Sequence, residues 1–587
     1  MKFEFGPFRL DEPGRALWLA DREVLLQPRV FDLLVYLIRN RERVVSKDEL
    51  LDTLWPGVTV TDNSLQRAVS TLRSVLRDGG VEDAIRSFPR TGYRFCAGQA
   101  VPLAGAPRPE AAAPVDVLGA ARQAVLDQSW DQAAKLFKAA DEAAPLQAKD
   151  LDGWAFALQC LGQPYEAIPI LVRSVAAHTK AGDSVAAAES AVSLATLHME
   201  RGEGAVSKGW LARAEDLTRS DPQSVSSGLA LWTRSRVAAI DGVPEQAVSF
   251  ADAAYDLGRR CGSARVETLG LMFRGFFKLS LGDTRAGLAD QDHAAALSLS
   301  SNVDTITSAF LYCNLLWACR TFGDWARANQ WTLGYQQFCR ESGMGLSGSC
   351  QLHRAEVLAI QGSLQDALDH INDALSLLSA DAPWAVGDAH RVLGDIHAAI
   401  GNTDAARAAY ETCYARGWDP EPGNAMLMLE LGQSDAAYAS LERSLIGQSW
   451  WTLQRRGMLL AHLAYVAAHG GRYEKAQALI DELAGNEERW PMPSIRALTN
   501  EASALLAKGQ RGDANEALRH MHLARQLWTS IDSRLNATRL RLEIATLQLE
   551  LGETTGAAAE IRAASAAANE LGSDKLRKRS TTLQQRL

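Results

Sequence analysis

Between Asn63 and Arg94 stand six arginines (Arg67, Arg73, Arg77, Arg86, Arg90 and Arg94) against three acids, Asp78, Glu82 and Asp83. A guanidinium bonds phosphate oxygens and the guanine edge, so this cluster suits the grip of a polyanion. A solvated helix face is the competing reading of the same residues. The rest of the chain sharpens the contrast. Residues 1–97 hold 15 Lys and Arg against 14 Asp and Glu, whereas the remaining residues hold 46 against 56, a net of −10.

Covalent and metal chemistry find no such footing. There is no Gly-x-Ser-x-Gly elbow between a strand and a helix, no His-Glu-x-x-His and no Ca²⁺ loop. A Gly-x-x-x-x-Gly-Lys-Ser/Thr nest for nucleotide phosphates is also missing. His520 and His522 are two apart, on different helix faces, which is poor geometry for a shared metal. Cys313 and Cys319 read as small apolar packing residues. No enzyme, metal or cofactor is expected.

The elements that must position the arginines come from periodicity. Phe3–Leu10 and Arg15–Ala20 alternate with period two and read as short strands. Pro28 opens a helix with Val30, Phe31, Leu34, Leu37 and Ile38 on its apolar stripe. Ser46 and Glu49 form a capping box for a second helix, Lys47 to about Leu54, which Trp55-Pro56-Gly57 stops. Asp62 or Asn63 caps a third, with Leu65, Val69, Leu72 and Leu76 buried and Asp78-Gly79-Gly80 ending it. The opposite face then carries Asn63, Arg67, Ser70, Thr71, Arg73, Ser74 and Arg77. Ala84–Phe88 and Tyr93–Cys96 around Pro89-Arg90-Thr91-Gly92 read as a hairpin.

Taken together, strands, three helices and a final hairpin resemble the winged helix-turn-helix domain of OmpR-type response regulators and CadC-like activators. The run LLQPRVFDLLVYLIRNRERVVSKDELLDTLWPGVTVTDNSLQRAVSTLRSVLRD, then FPRTGYRF, carries the resemblance, including the long loop Trp55–Thr61. The resemblance implies a helix in the major groove, with Asn63, Gln66, Arg67, Ser70 and Arg73 at base or phosphate contacts. It implies a wing bearing Arg86, Arg90 and Arg94. No receiver precedes the module and no membrane helix follows it, so neither receiver phosphorylation nor periplasmic sensing is the expected switch.

Gly98–Val115, with four Pro and many Ala, reads as an extended linker. Beyond it a Gly with a small residue five positions later recurs at Gly162, Gly202, Gly242, Gly282, Gly323, Gly362, Gly401, Gly432, Gly471, Gly512 and Gly552. The steps are 40, 40, 40, 41, 39, 39, 31, 39, 41 and 40 residues, with Gln128…Ala133 as a degenerate first member. A fixed period in this range means a stacked helical solenoid. Gly supplies the left-handed cap of one helix, Asp283, Asp324, Asn402, Ser434 or Asp513 starts the next, and the small residue lets the pair approach.

The pattern resembles tetratricopeptide arrays, lengthened by about six residues from the usual 34. It is also similar to the sensor array of MalT- and LuxR-type activators, whose NTPase is missing here. The resemblance implies that positions 10, 6 and 3 before each Gly line a concave groove. Those columns place Trp232, Arg236, Phe276, Trp317, Arg320 and Arg391 as candidate contacts for an anionic small molecule or a peptide. Position −8, apolar at Leu194, Leu315, Leu393, Leu463 and Ile544, carries Arg234, Arg274 and Arg354 in three repeats, and these are expected to snorkel or pair.

The expected fold is mainly α: an N-terminal α/β winged helix-turn-helix (1–97), a linker (98–115) and an α-solenoid of about twelve helical pairs (116–587). The expected function is sequence-specific transcription regulation, with the array receiving an effector. The alternative is a scaffold or adaptor whose winged module binds protein. Candidate partners are double-stranded promoter DNA, RNA polymerase, a small-molecule or protein effector, and a second copy on DNA. The longest uncharged stretch, Thr305–Cys319, is too short for a membrane span, and the N-terminus has no apolar signal segment. Eight Cys without a C-x-x-C pair fit reduced thiols, so a cytoplasmic location is expected.

Overall fold

The structure, a computed structural model, describes residues 2–11, 16–19, 22–24, 26, 28–41, 43–54, 62–81, 84–88, 91–97, 101–102, 116–298, 303–344, 347–446 and 450–587. The chain divides into two compact units, Met1–Val115 and Asp116–Leu587.

In the first unit, β1 (Lys2–Phe5), β2 (Phe8–Asp11), β3 (Ala16–Leu19) and β4 (Arg22–Val24) form an antiparallel meander. Phe3–Leu10 is therefore two strands, not the one expected. Gly6, at φ +55, turns the chain so that Phe5 faces Phe8 in register. Helices α1 (Pro28–Arg39), α2 (Lys47–Leu54) and α3 (Asp62–Asp78) follow, with β5 (Val45–Ser46) between the first two. β6 (Ile85–Phe88) and β7 (Gly92–Phe95) make the hairpin, and β5 joins it to give the order β5-β7-β6. The capping box is half formed. The Glu49 amide donates to Ser46 Oγ at 3.1 Å, but the Glu49 carboxylate is taken by Tyr36 and Arg43. β8 (Val101–Pro102) pairs with β1, so the linker read from Gly98 contributes two residues to this sheet; 98–100 and 103–115 lie outside the described residues.

The second unit holds, among the described residues, twelve antiparallel helix pairs from Val117–Leu126 onward and a closing helix, Asp574–Gln584. All eleven repeat glycines have positive φ, between +68° and +105°, and Gln128 takes the same role at +56°. Asp324, Asn402 and Asp513 cap the following helices through their side chains. Ser434 does not: it lies inside its helix, and Gln433 is the cap residue. The short step of 31 residues corresponds to a stunted pair, Gly423–Glu430 and Ser434–Ser444. At Gly275 and Gly287 two helices nearly touch, since a Cβ on either would sit 2.6 or 2.8 Å from the other's carbonyl oxygen.

The array winds so tightly that pairs about five apart meet. Trp130 Nε1 donates to Ser342 O (3.0 Å), Gln454 Nε2 to Phe276 O (3.0 Å), Ser494 Oγ to Gly323 O (2.7 Å) and Ser573 Oγ to Ala399 O (2.7 Å). Four cap glycines, Gly282, Gly323, Gly362 and Gly401, are seats for this contact. Their missing Cβ positions face Arg489, Met458 with Ser494, Leu571 and Lys575. Gly162, Gly202, Gly242, Gly432, Gly471, Gly512 and Gly552 face nothing within 4 Å. Among the described residues no helix is long and apolar enough to cross a membrane.

Candidate nucleic-acid interface and the cavities of the array

Helix α3 turns Leu65, Val69, Leu72 and Leu76 into the core of the first unit, against Leu34, Leu37 and Ile38 of α1. That fixes the outward face. Ser70, Thr71 and Arg77 are exposed on it, and Arg73 and Ser74 are half-buried. Arg73 is engaged: its Nε and Nη2 donate to Ile85 O at 2.9 and 2.7 Å, and Nη2 also to Ser87 Oγ at 2.9 Å. It thereby ties the helix to the hairpin. Arg94 donates through Nε to Arg41 O at 2.9 Å, tying the hairpin to the end of α1. Arg86 is exposed on β6. The side chains of Asn63, Gln66 and Arg67, and all of Arg90 and the loop Trp55–Thr61, lie outside the described residues. Arg43 and Tyr36 hydrogen-bond the Glu49 carboxylate and hold it down to about 2, locking α2 to α1 as an ionised pair.

In the array, Trp232, Arg236, Phe276 and Trp317 come together on one cavity of about 510 Å³. Arg236 lies against three rings, with its Cζ 5.2 Å from the Trp232 centroid, 5.6 Å from Phe273 and 4.9 Å from Phe310. Among the described residues its ion-pair contact is Glu200, at 3.5 Å. Burial pulls the Arg236 pKa down and pushes that of Glu200 up. Arg236 Nη1, Trp232 Nε1 and Thr196 Oγ1 have no hydrogen-bond partner, and all three residues line the cavity.

Arg320 and Arg391 stand elsewhere, on a second cavity of about 300 Å³. Carboxylates already occupy both. Arg320 bonds Glu356 and, at 3.0 Å, Asp388; Arg391 reaches Asp388 at 2.8 Å, Glu356 at 3.0 Å and Asp395 at 2.9 Å. Burial opposes the charge on Asp388, but Arg391 and Arg320 outweigh it and keep the carboxyl below its usual range. Asp395, with Tyr410 Oη donating to it at 2.7 Å, is pushed by burial up to about 6. His353, on the lining of the first cavity, accepts through Nδ1 from Arg320 and meets Cys313 Sγ through Nε2 at 3.3 Å; burial and Arg320 hold it neutral.

Of the odd arginines of position −8, Arg234 and Arg274 are paired, whereas Arg354 Nε is buried without a hydrogen-bond partner. Arg234 meets Glu215 at 2.8 Å, and Arg274 meets Asp290 at 2.7 Å and Asp252 at 2.5 Å. Sequence columns missed Phe273, Phe310 and Glu200, which complete the aromatic cage. They sit one residue off the chosen columns or in the first half of a helix, and a wider apolar stripe would have included them. Among the described residues no group of three His, Cys, Asp or Glu side chains is arranged to hold a metal ion.

Residues 21–95 match the family described as transcriptional regulatory protein, C terminal. Over 76 residues the chain is 34% identical to the transcriptional activator CadC of Escherichia coli strain K12, covering 13% of this chain and 15% of that one. The chain spans 15%, 19% and 35% of the length of three such curated relatives. Among solved structures, the Klebsiella pneumoniae RstA DNA-binding domain in complex with the RstA box is 31% identical, with 16% of this chain and 95% of that one covered and a TM-score of 0.15. The APC/C hetero-tetramer Cut9-Hcn1 is 15% identical, covering 78% of this chain and 95% of that one at a TM-score of 0.30.

Proposed function

From a DNA-binding domain of the transcriptional-regulator type at residues 21–95, we propose that the whole chain is a sequence-specific transcription regulator and that its helical array receives the signal. The observation that carries the reading is the family match, which falls on the segment holding the arginine cluster. Helix α3 supports it by burying one stripe and leaving Ser70, Thr71 and Arg77 outward, beside an exposed Arg86 on the hairpin. The resemblance adds Asn63, Gln66, Arg67 and Arg90 to the proposed contacts. Arg73 holds helix and hairpin in register, so the two elements meet a duplex as one body, and Arg94 ties the hairpin to Arg41. The array serves as the receiver through its cavities, and RNA polymerase and a second copy on the same promoter are the further partners.

The test is recovery of genomic fragments by the full-length protein, followed by mobility-shift titration across salt. Discrete sites are expected, and log affinity should fall with log salt by about 0.9 for each phosphate neutralised. Recovery of no discrete site, or salt-independent binding, would favour the adaptor reading instead.

A further inference from the structure

We propose that the cavity around Trp232 and Arg236 binds a small hydrophobic carboxylate. The proposal deepens the sensing role given above to the array and rests on it for its biological meaning. The cavity itself stands on geometry.

Its volume, about 510 Å³, is that of sites that enclose a drug-sized molecule. Most of the wall is apolar, with Phe276 and Phe277 packed beside Phe273 of the cage and Trp317 also on the lining. An apolar body is what such a wall accepts. The polar atoms left over within it say what the other end of the ligand must be. Arg236 Nη1 and Trp232 Nε1 are donors that lack an acceptor, and Thr196 Oγ1 is unpartnered one helical turn from Glu200. Buried donors without acceptors are costly, and a ligand that supplies two acceptor oxygens relieves that cost. A carboxylate does this with one group.

Two observations exclude a cation. The electron-rich faces of Trp232, Phe273 and Phe310 are already filled by the guanidinium of Arg236. An ammonium would also have to approach Arg236 and Arg265, both on the lining, with Glu200 alone in its favour and that carboxylate already at 3.5 Å from Arg236. A phosphate dianion would have to strip its hydration in a wall dominated by aromatic side chains, which a singly charged, largely apolar acid avoids. The neighbouring cavity offers no such opening, because Arg320 and Arg391 are already held by carboxylates of the chain itself.

The experiment titrates full-length protein with indole-3-acetate, 4-phenylbutyrate and decanoate, and with the corresponding neutral amides. Calorimetry and tryptophan fluorescence are the readouts. At least one acid should bind saturably at one per chain and at least tenfold more tightly than its amide. Arg236→Gln should erase the preference of acid over amide, Arg236→Lys should restore part of it, and Trp232→Phe, which keeps a ring but loses the N–H, should weaken the acid several-fold. Helical circular dichroism checks each variant, and Trp232→Phe carries the test alone should Arg236→Gln not fold. No binding by any acid, equal binding of acid and amide, or an unchanged preference in Arg236→Gln would overturn the proposal. DNA binding measured on the same samples separates the two readings. Intact site-specific DNA binding without acid binding rejects this site and leaves the regulator. Acid binding that leaves DNA occupancy unmoved keeps the site and rejects the array as the sensor.

Discussion

At the scale of single residues, two arginines that look alike in sequence have different tasks. Arg73 spends its guanidinium on Ile85 O and Ser87 Oγ, whereas Arg86 is exposed with no such duty in view. Arg86→Ala is expected to leave thermal stability unchanged, weaken DNA binding evenly across sequences and lower the salt slope by about 1. Arg73→Ala is expected to cost about 1–3 kcal/mol of stability in the first unit, because the partly buried Ile85 O loses a charged donor and the helix its tie to the hairpin. Urea melts beside mobility-shift titrations check both; a fully stable Arg73→Ala would show that the tie is dispensable. The helix face that carries Arg73 was readable from the Leu65/Val69/Leu72/Leu76 stripe. Its partner was not, since nothing in the spacing says that a strand 12 residues later passes beneath it. Asp395 makes a second case. Its folded pKa of about 6 lies above the roughly 3.9 of an unfolded Asp, so the folded state holds the proton more tightly. Its contribution to stability is therefore fully present below about pH 4 and is lost as pH rises through 6. Relative to Asp395→Asn, the native chain should lose melting temperature between about pH 4 and about pH 6.5. An unchanged difference across that window would remove Asp395 as the titrating group.

At the scale of elements, the repeat glycines were legible because a left-handed helix cap admits few other residues, and all eleven have the positive φ that the spacing implied. What the spacing could not supply is that some caps do a second job. Gly162→Ala meets open space and is expected to cost only the left-handed strain, about 1–2 kcal/mol. Gly323→Ala meets the same strain and also places a methyl 2.7 Å from Met458 Sδ and 2.9 Å from Ser494 Oγ, so it should cost distinctly more. Equal losses in denaturant melts would mean that the second contact yields freely. The strands were read less well. The apolar positions Phe3, Phe5, Phe8 and Leu10 change phase across Gly6-Pro7, so the break was marked in the pattern, and reading Phe3–Leu10 as one strand passed over it. Val45–Ser46 and Val101–Pro102 were too short to carry a period at all.

At the scale of the array, pair after pair follows from a repeat of about 40 residues, but the pitch of the superhelix depends on small rotations between pairs that no period encodes. Among the cavity residues, Trp232, Arg236, Phe276 and Trp317 fell in columns that the register named, while Phe310, in the first half of Thr305–Phe322, did not. Gln454 holds two turns together, accepting from Thr321 Oγ1 at 2.8 Å and donating to Phe276 O at 3.0 Å. Gln454→Ala is expected to raise the maximum dimension of the protein in small-angle scattering and to speed proteolysis in the array; unchanged values for both would show that the turns stay closed without it. A coil whose turns already touch resembles a closed spring, which can be stretched but not shortened. With Gly282, Gly323, Gly362 and Gly401 seated under the next turn, any mechanical response of this array to a bound molecule has one direction open to it, extension, and the resting chain is already at its stop.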